Sequence, residues 1–364
     1  MKHLVERLLL IRASGDNRLW LYEEFLQALQ KNEQRRQHGS GTLGASANTI
    51  GYSEQGRAIL GFVFGQGDLT VSLTGGAHAD EPVGPNTLYR LVWSLSNPDG
   101  GLKSLLARFR FLIIPHVNPD GDAANADWIQ KWPDPGAFLQ FAKREPPGRD
   151  VEFGYPDMRV ENRAAAGFWQ QWSPADIHFS LHGMSFSEGY LLLVHDNEAM
   201  PDRSWRARYD LRMRRAGLLP HDHDRSGEKG FRYYGPGFTS TPCGKAMSEY
   251  FRQQGDEKTA GLFHDSSMEY HLRRNPNALC MVTEIPLFLL EHSGTPGKPS
   301  NYLEWKKEWE KLKAESDPKK RVIQLERLWR RYRVKVVSVE KAIDLQLYTI
   351  TSAMNWHAGR KKHQ

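Results

Sequence analysis

The spacing of hydrophobic and polar positions changes several times in the first third of the chain, and each change predicts a new element. Over residues 19–37, apolar side chains recur at helical spacing among Glu, Gln and Arg, which predicts an amphipathic surface helix. Residues 69–73 alternate between apolar and polar and end at the glycine pair 75–76, which is typical of a strand that runs into a turn. A helical period over 88–95 and a short apolar run at 111–114 follow. Strand, helix and strand in this order indicate an α/β fold.

Three further apolar runs in the second half predict buried strands that end in polar residues. The alternating run 177–181 leads into His182, and the run 279–282 leads towards Glu284. A dense apolar run at 190–194 lies between them. Together with the first half, these runs predict a single α/β/α domain with a mixed, mostly buried sheet of about eight strands.

The predicted catalytic domain covers residues 48–295 and carries a helical segment at each end. Residues 1–47 are expected to form a helical segment packed on the core, interrupted by a glycine-rich break at 39–44. Residues 296–364 are expected to form a helical extension within the same globule. Inside the catalytic domain, two segments rich in Gly, Pro and charge predict unusually long loops, a kind that often shapes a binding site: 133–154 and 221–242.

Composition and charge exclude several other classes of protein. The 364 residues include 49 Lys and Arg against 43 Asp and Glu, and the net charge of +6 is spread along the chain, as on an ordinary solvated surface. Cys243 and Cys280 are too few for a disulfide framework. The apolar run at 8–11 is too short for a signal peptide, and no stretch approaches the roughly 20 apolar residues of a membrane span. The sequence therefore predicts a cytoplasmic protein with no membrane or nucleic-acid partner, and it leaves the oligomeric state open.

A histidine and a glutamate three positions apart stand just beyond the strand at 69–73. His78 and Glu81 lie in this turn, and His182, at the end of another predicted strand, is well placed to supply a third metal ligand. Two imidazoles and one carboxylate suit catalytic zinc, because they leave a fourth position for a water whose pKa the metal lowers towards 7. Open α/β sheets bind their ligands at the carboxyl ends of the strands. The sequence therefore predicts a zinc site there, held by His78, Glu81 and His182.

Several motifs in a fixed order resemble those of the M14 metallocarboxypeptidase family, in its bacterial-type branch. Residues 51–57, Gly-Tyr-Ser-Glu-Gln-Gly-Arg, are similar to the family's lead-in strand, and residues 118–121 match its Asn-Pro-Asp-Gly turn. The pair at 162–163 matches the family's Asn-Arg pair, and Thr-Glu-Ile-Pro follows at 283–286. The resemblance extends over residues 50–290. It implies a zinc metallocarboxypeptidase, a peptide hydrolase that cleaves an amide bond next to a free carboxylate.

The resemblance also implies roles for individual residues. Glu284 would be the general base that takes a proton from the zinc-bound water and passes it to the leaving amine. Arg163 would grip the substrate carboxylate with its planar fork of donors, and Asn162 would assist with its side-chain amide. Three tyrosines are open candidates for the family's mobile, substrate-capping tyrosine: Tyr233, Tyr234 and Tyr270.

Three departures from the family pattern keep other functions open. Asp80 stands where digestive carboxypeptidases have an arginine, and Val160 stands where the family often has an aspartate that orients a ligand histidine. No obvious arginine occupies the position that polarises the scissile carbonyl, and Lys131 is the nearest basic residue. The alternatives are a deacylase of N-acyl amino acids on the same zinc site and a catalytically weak, zinc-containing binding protein.

Overall fold

Nine strands pair into one mixed sheet, and three short strands form a second sheet, within the parts of the chain that the computed structural model describes, residues 6–10, 17–37 and 48–360. The strands are Asn48–Tyr52 (β1), Ala58–Phe64 (β2), Leu69–Gly75 (β3), Phe109–Ile114 (β4), Ile177–His182 (β5), Phe186–Ser187 (β6), Leu191–Val194 (β7), Tyr233–Gly235 (β8), Phe238–Ser240 (β9), Leu279–Glu284 (β10), Phe288–Leu289 (β11) and Lys335–Val336 (β12).

The large sheet has the strand order β1-β2-β4-β3-β5-β10-β7-β9-β8, and the small sheet has the order β12-β11-β6. The four central strands β4, β3, β5 and β10 are mutually parallel, whereas β2 joins β4 and β7 joins β10 in antiparallel pairs. The predicted mixed α/β sheet is therefore confirmed, with nine strands where about eight were expected. Because the central strands are parallel, their carboxyl ends lie at one edge of the sheet.

Helices cover both faces of the large sheet. The α-helices are Tyr22–Gln37 (α1), Val83–Ser96 (α2), Gly100–Leu106 (α3), Pro119–Ala124 (α4), Ala126–Ile129 (α5), Pro135–Phe141 (α6), Val160–Gln170 (α7), Arg203–Arg215 (α8), Gly244–Gln253 (α9), Glu257–Ala260 (α10), Ser267–Arg274 (α11), Ser300–Ala314 (α12), Pro318–Arg331 (α13) and Val339–Arg360 (α14). Short 3-10 turns occur at Glu6–Leu10 and Glu228–Gly230. The helix predicted over residues 19–37 begins at Tyr22.

The strand β5 illustrates how the sheet separates apolar packing from polar chemistry. Ile177, Phe179 and Leu181 belong to the larger hydrophobic core on the face that α2 and α14 cover. The alternate residues, which include His178 and His182, therefore point to the opposite face, although β5 is buried throughout. Helix α2 comes very close to the strand at Gly84, where a Cβ atom would lie 2.0 Å from a backbone oxygen of Leu181. Only glycine allows this close contact.

The segments at both ends of the described chain pack on this core. In α1, the ring of Phe25 stacks on Tyr89 of α2 with centroids 4.4 Å apart. In α12, the buried rings of Trp305 and Trp309 pack against Phe186 of the small sheet. The predicted break at 39–44 lies outside the described residues. Among the helices that the structure describes, none combines the length and the apolar character needed to cross a membrane.

Candidate metal centre and adjoining cavity

Three neighbouring parallel strands carry the predicted metal ligands and the predicted base to one edge of the sheet. His78 and Glu81 follow the end of β3, and His182 is the last residue of β5. Glu284 is the last residue of β10 and lies directly opposite His182 in the parallel ladder. Residues that are far apart in sequence meet here because their strands end at the same edge.

Three donor atoms of this group converge on one point. Nδ1 of His182 lies 3.0 Å from Nδ1 of His78 and 2.9 Å from Oε2 of Glu81. Nδ1 of His78 lies 3.0 Å from Oε1 of Glu81. Within the described residues, this is the only group of three or more His, Cys, Asp or Glu side chains whose potential ligand atoms lie so close together.

The donor set fits a zinc ion. Zinc binds nitrogen and oxygen ligands at about 2.1 Å, so two ligands of a tetrahedral ion lie about 3.4 Å apart, close to the separations among His78, Glu81 and His182. Two imidazoles and one carboxylate are also the ligand types of catalytic zinc sites, which use three protein ligands. These three residues can therefore hold one divalent cation and leave a coordination position open.

A buried carboxylate fixes the orientation of His182 from behind. Oε2 of Glu152 lies 3.0 Å from Nε2 of His182 and also accepts a hydrogen bond from Ser180, while Oε1 accepts one from Ser267. Burial lowers the pKa of His182, but the hydrogen bonds with Glu152 and Glu81 outweigh it and raise the pKa well above its usual value. With Nε2 held in this way, Nδ1 is directed at the other two donors. A carboxylate behind a ligand histidine is a common feature of zinc sites.

The backbone of His182 is fixed as well, by a glutamine on the C-terminal helix. Nε2 of Gln346 donates to the carbonyl oxygen of His182 over 2.7 Å and to Oγ1 of Thr283 over 3.1 Å. Its Oε1 accepts a hydrogen bond of 2.6 Å from Thr87 of α2. Gln346 is fully buried, so α14 holds the ends of β5 and β10 side by side.

An arginine lies beside the donor set. Nη1 of Arg144 donates to Oε1 of Glu81 over 2.7 Å and to Oδ1 of Asp80 over 3.2 Å. Burial would raise the pKa of Glu81, but the charges of His78, Arg144 and His182 lower it well below its usual value. Lys131, the basic residue that the sequence suggested for this region, instead lies over the ring of Phe141 at 4.7 Å.

The predicted base Glu284 lines the cavity next to the donor set. Burial, together with the charge of Glu81, raises its pKa to about 7. In the described part of the chain its Oε2 has no hydrogen-bond partner. A carboxylate in this position is able to accept a proton from a molecule in the cavity.

A cavity of about 600 Å³ extends from the donor set, and both predicted long loops line it. The loop 133–154 contributes Arg144, Asp150 and Glu152, and the loop 221–242 contributes Arg225 and Lys229. Apolar side chains line one part of the cavity: Leu191, Leu193, Phe231, Met247, Met268 and Val282. The volume and the mixed lining suit a small peptide or an acylated amino acid.

The predicted substrate-binding pair does not line this cavity. Asn162 is fully buried, and its Nδ2 donates to the carbonyl oxygen of Val151 over 2.8 Å. Arg163 is exposed on α7, a helix that packs against β1 and β2. The structure therefore corrects the predicted placement of Asn162 and Arg163, because α7 buries one of them and turns the other towards solvent.

Two carboxylates earlier in the chain lie beside the predicted ligand histidines, where the family pattern expects an orienting aspartate. Val160 stands two residues before Asn162, where the family often has an aspartate that orients a ligand histidine. Asp150 and Glu152 are likewise two positions apart. Both are buried, and both line the cavity beside the predicted ligand histidines. The Asp-x-Glu spacing within the long polar loop was the signal that could have identified them.

The three tyrosine candidates also lie outside the cavity lining. Tyr270 is buried against Trp169, and its hydroxyl donates to the carbonyl oxygen of Ala166. The hydroxyl of Tyr233 donates to Asp222, and Tyr234 lies in the same short strand. Among the described residues, the tyrosine that lines the cavity is Tyr302, at the start of α12.

Comparisons with known proteins relate part of the chain to zinc carboxypeptidases. A family model described as zinc carboxypeptidase matches residues 44–150. The chain is 30% identical over 120 residues to zinc carboxypeptidase A 1 of Anopheles gambiae. That alignment covers 32% of this chain and 28% of the mosquito protein. The matches confirm the predicted resemblance to zinc carboxypeptidases over this part of the chain, and the proteins so named point to zinc as the metal.

Solved structures extend the likeness in fold over nearly the whole chain. A metallo-carboxypeptidase from Burkholderia cenocepacia superposes with a TM-score of 0.51 at 13% identity, covering 93% of this chain and 70% of that protein. A candidate metallopeptidase from Shewanella denitrificans superposes with a TM-score of 0.50 at 13% identity, covering 96% of this chain and 98% of that protein. The family-model match over residues 44–150 includes His78 and Glu81 and ends before His182 and Glu284. The structural likeness beyond it is a likeness in fold.

Replacing Glu152 tests its contact with His182. We expect Glu152→Ala to weaken zinc affinity about 10- to 100-fold, the usual cost of losing the group that orients a ligand histidine. Glu152→Gln keeps an oxygen acceptor and should weaken affinity less. Competition with a chelator of known zinc affinity measures both variants. Equal zinc affinity in Glu152→Ala and the natural protein would contradict this role.

Proposed function

We propose that this protein is a zinc-dependent hydrolase that cleaves an amide bond next to a free carboxylate, and thus a metallocarboxypeptidase. The observation that carries the proposal is the meeting of His78, Glu81, His182 and Glu284 at the ends of three parallel strands, beside a cavity large enough for a peptide end. The relation to zinc carboxypeptidases over residues 44–150 supports the same reaction class.

In this proposal His78, Glu81 and His182 hold the metal. Zinc, when bound by ligands of this kind, polarises the scissile carbonyl and makes a water molecule more acidic. Glu284 accepts a proton from the attacking water and donates it to the leaving amine. Burial raises the pKa of Glu284 above that of an ordinary carboxyl, which helps the group to hold a proton between the two transfers.

Arg144 is proposed to stabilise the negative charge that develops on the carbonyl oxygen. Its Nη1 is committed to Asp80 and Glu81, but its Nη2 makes no hydrogen bond within the described residues. The side chain lines the cavity and is 45% exposed, so a substrate can reach it. A fixed guanidinium beside the reacting carbonyl supplies the electrophilic assistance that the sequence comparison found missing.

The activity can be tested on matched small substrates. Zinc-loaded protein should release the C-terminal residue from N-acetylated dipeptides, and activity should disappear after chelation and return when zinc is restored. Release of the last amino acid is measured by chromatography with mass detection. No release from any of a broad set of such peptides, by protein that contains stoichiometric zinc, would contradict the proposal.

The same assay separates the proposal from a deacylase. Acetyl and succinyl derivatives of single amino acids offer the same amide bond next to a carboxylate, without the second residue. A metallocarboxypeptidase should prefer the acetylated dipeptides, since they fill more of the 600 Å³ cavity. A higher kcat/KM for the single acyl amino acids would identify the site as a deacylase instead.

A further inference from the structure

The cavity contains an arginine, Arg225, that forms no ion pair with any of the described residues. Arg225 lies on the loop between α8 and β8 and lines the cavity together with Glu284 and Tyr302. Its guanidinium stands over the ring of Phe231, with 4.0 Å between the guanidinium carbon and the ring centroid. In the described parts of the chain, the guanidinium makes no ion pair and donates no hydrogen bond. Burial lowers the pKa of Arg225, with a partial offset from Tyr302 and Glu284.

The loop that carries Arg225 is held in place from both sides. Oδ2 of Asp222 accepts a hydrogen bond of 2.8 Å from the backbone of Gly297, and its Oδ1 accepts one from the hydroxyl of Tyr233. The backbone nitrogen of Asp224 donates to the carbonyl oxygen of Gly297 over 2.9 Å. The loop that carries the guanidinium is therefore already ordered, so less conformational entropy is lost when an anion binds to Arg225.

Two lysines place further positive charge near Arg225. Lys229 lies on the same loop with its ammonium over the ring of Tyr250 at 4.7 Å, and Lys306 on α12 lies over Tyr302 at 5.9 Å. Both line the cavity, and neither forms an ion pair within the described residues. Burial and the charge of Glu228 act on the pKa of Lys229 in opposite directions, and burial prevails, so the pKa is lowered. This part of the cavity lining carries Arg225 and the two lysines, whereas the part beside the predicted metal ligands carries Asp80, Asp150 and Glu152 together with Arg144.

We infer that Arg225, assisted by Lys229, binds the carboxylate of the substrate's terminal residue, and that this residue has an apolar side chain. A half-buried guanidinium without a counter-charge is costly, and a substrate carboxylate supplies the missing charge with two parallel hydrogen bonds. Phe231, directly under the guanidinium, belongs to one apolar cluster with Leu193 and Val282, and all three line the cavity. The inference rests on the proposed function and identifies its recognition group, which is not Arg163.

The test measures binding, so that it does not depend on turnover. The probes are N-acetyl-Ala-Phe and its C-terminal amide, which differ only in the charge of the chain end. They are titrated by calorimetry into zinc-loaded Glu284→Gln protein, whose turnover is expected to be too slow to consume much of the probe during the titration. The acid should bind about 10- to 100-fold more tightly than the amide, since hydrogen bonds between charged groups have this effect on affinity.

The variants assign this preference to a residue. Adding Arg225→Gln to the same protein should reduce the ratio of acid affinity to amide affinity to about threefold or less. Arg225→Lys should recover part of this ratio, because an ammonium keeps the charge but lacks the two-pronged geometry of a guanidinium. Arg163→Gln is the matched control and should leave the ratio unchanged. Zinc content and melting temperature of each variant, compared with Glu284→Gln alone, verify that the fold and the metal are retained.

The outcomes distinguish this inference from the proposed function. A ratio that stays at its original value in Arg225→Gln overturns the inference, because the carboxylate would then bind the metal or another group. Loss of the ratio in Arg163→Gln would overturn it as well. If the natural protein hydrolyses no peptide but the preference for the acid still depends on Arg225, the proposed function fails and the inference stands.

Discussion

Replacing Glu284 with glutamine should lower turnover by roughly 10²- to 10⁴-fold while zinc content and folding stay unchanged, the usual range for a positioned acid or base. The glutamine amide keeps the shape of the side chain but accepts no proton near neutral pH. In the natural protein, kcat/KM should fall as the pH drops, because protonation removes the base. A bound cation lowers the pKa of about 7 that the carboxyl has beside Glu81, so this loss of activity should occur at or below pH 7.

Steady-state kinetics across pH, with zinc analysis of each sample, measure this effect. Glu310→Gln is a suitable control, since Glu310 also lines the cavity but is exposed and paired with Lys313 at 3.1 Å. Its activity should remain within about twofold of the natural protein, as for most exposed ion pairs. If Glu284→Gln lost its zinc, Glu284 would be a ligand and the assigned roles would have to change.

Replacing His182 with alanine should remove the zinc and at least about 10³-fold of the activity, because the metal supplies several kcal/mol of transition-state stabilisation. Two remaining ligands do not make a catalytic zinc site, which needs three. His264→Ala is the matched control, because His264 is exposed and does not line the cavity. Elemental analysis and hydrolysis assays of both variants test the expectation.

Full zinc occupancy in His182→Ala would show that the metal is bound elsewhere. A further check is available at Glu81, whose carboxylate contacts both histidines. Glu81→Gln should also lose most of its zinc, because a neutral amide is a poor substitute for a carboxylate ligand. A variant that keeps zinc but loses activity would instead indicate that Glu81 acts in catalysis rather than in binding.

The predicted site residues that the structure brings together lie at or just beyond the ends of regular strands. His182 and Glu284 end apolar runs whose alternation and length predict strands, and parallel strands bring such residues together. His78 and Glu81 carry a spacing that suits a metal, after a strand that ends in glycine. Local pattern and the known geometry of parallel sheets were sufficient to place these four residues at one edge of the sheet, whereas the role of Glu284 as a base was predicted from the family resemblance.

The cavity-lining residues that the sequence did not point to lie on irregular loops. Arg144, Glu152 and Arg225 have no periodic neighbours, and their positions depend on how the long loops fold back over the sheet edge. Asn162 and Arg163 were assigned from a motif of two residues, which cannot distinguish a cavity from the buried and exposed sides of a helix. The direction of a loop side chain depends on contacts such as that between Asp222 and Gly297, which are remote in sequence.

The zinc content of the natural protein is the most direct test of this account. Protein purified without exposure to chelators should contain close to one zinc per chain by elemental analysis, since His78, Glu81 and His182 form a single three-ligand site. The measurement needs no substrate and no assumption about specificity. A stoichiometry near zero, in folded protein that also fails to take up added zinc, would contradict the metal site and with it the proposed hydrolase.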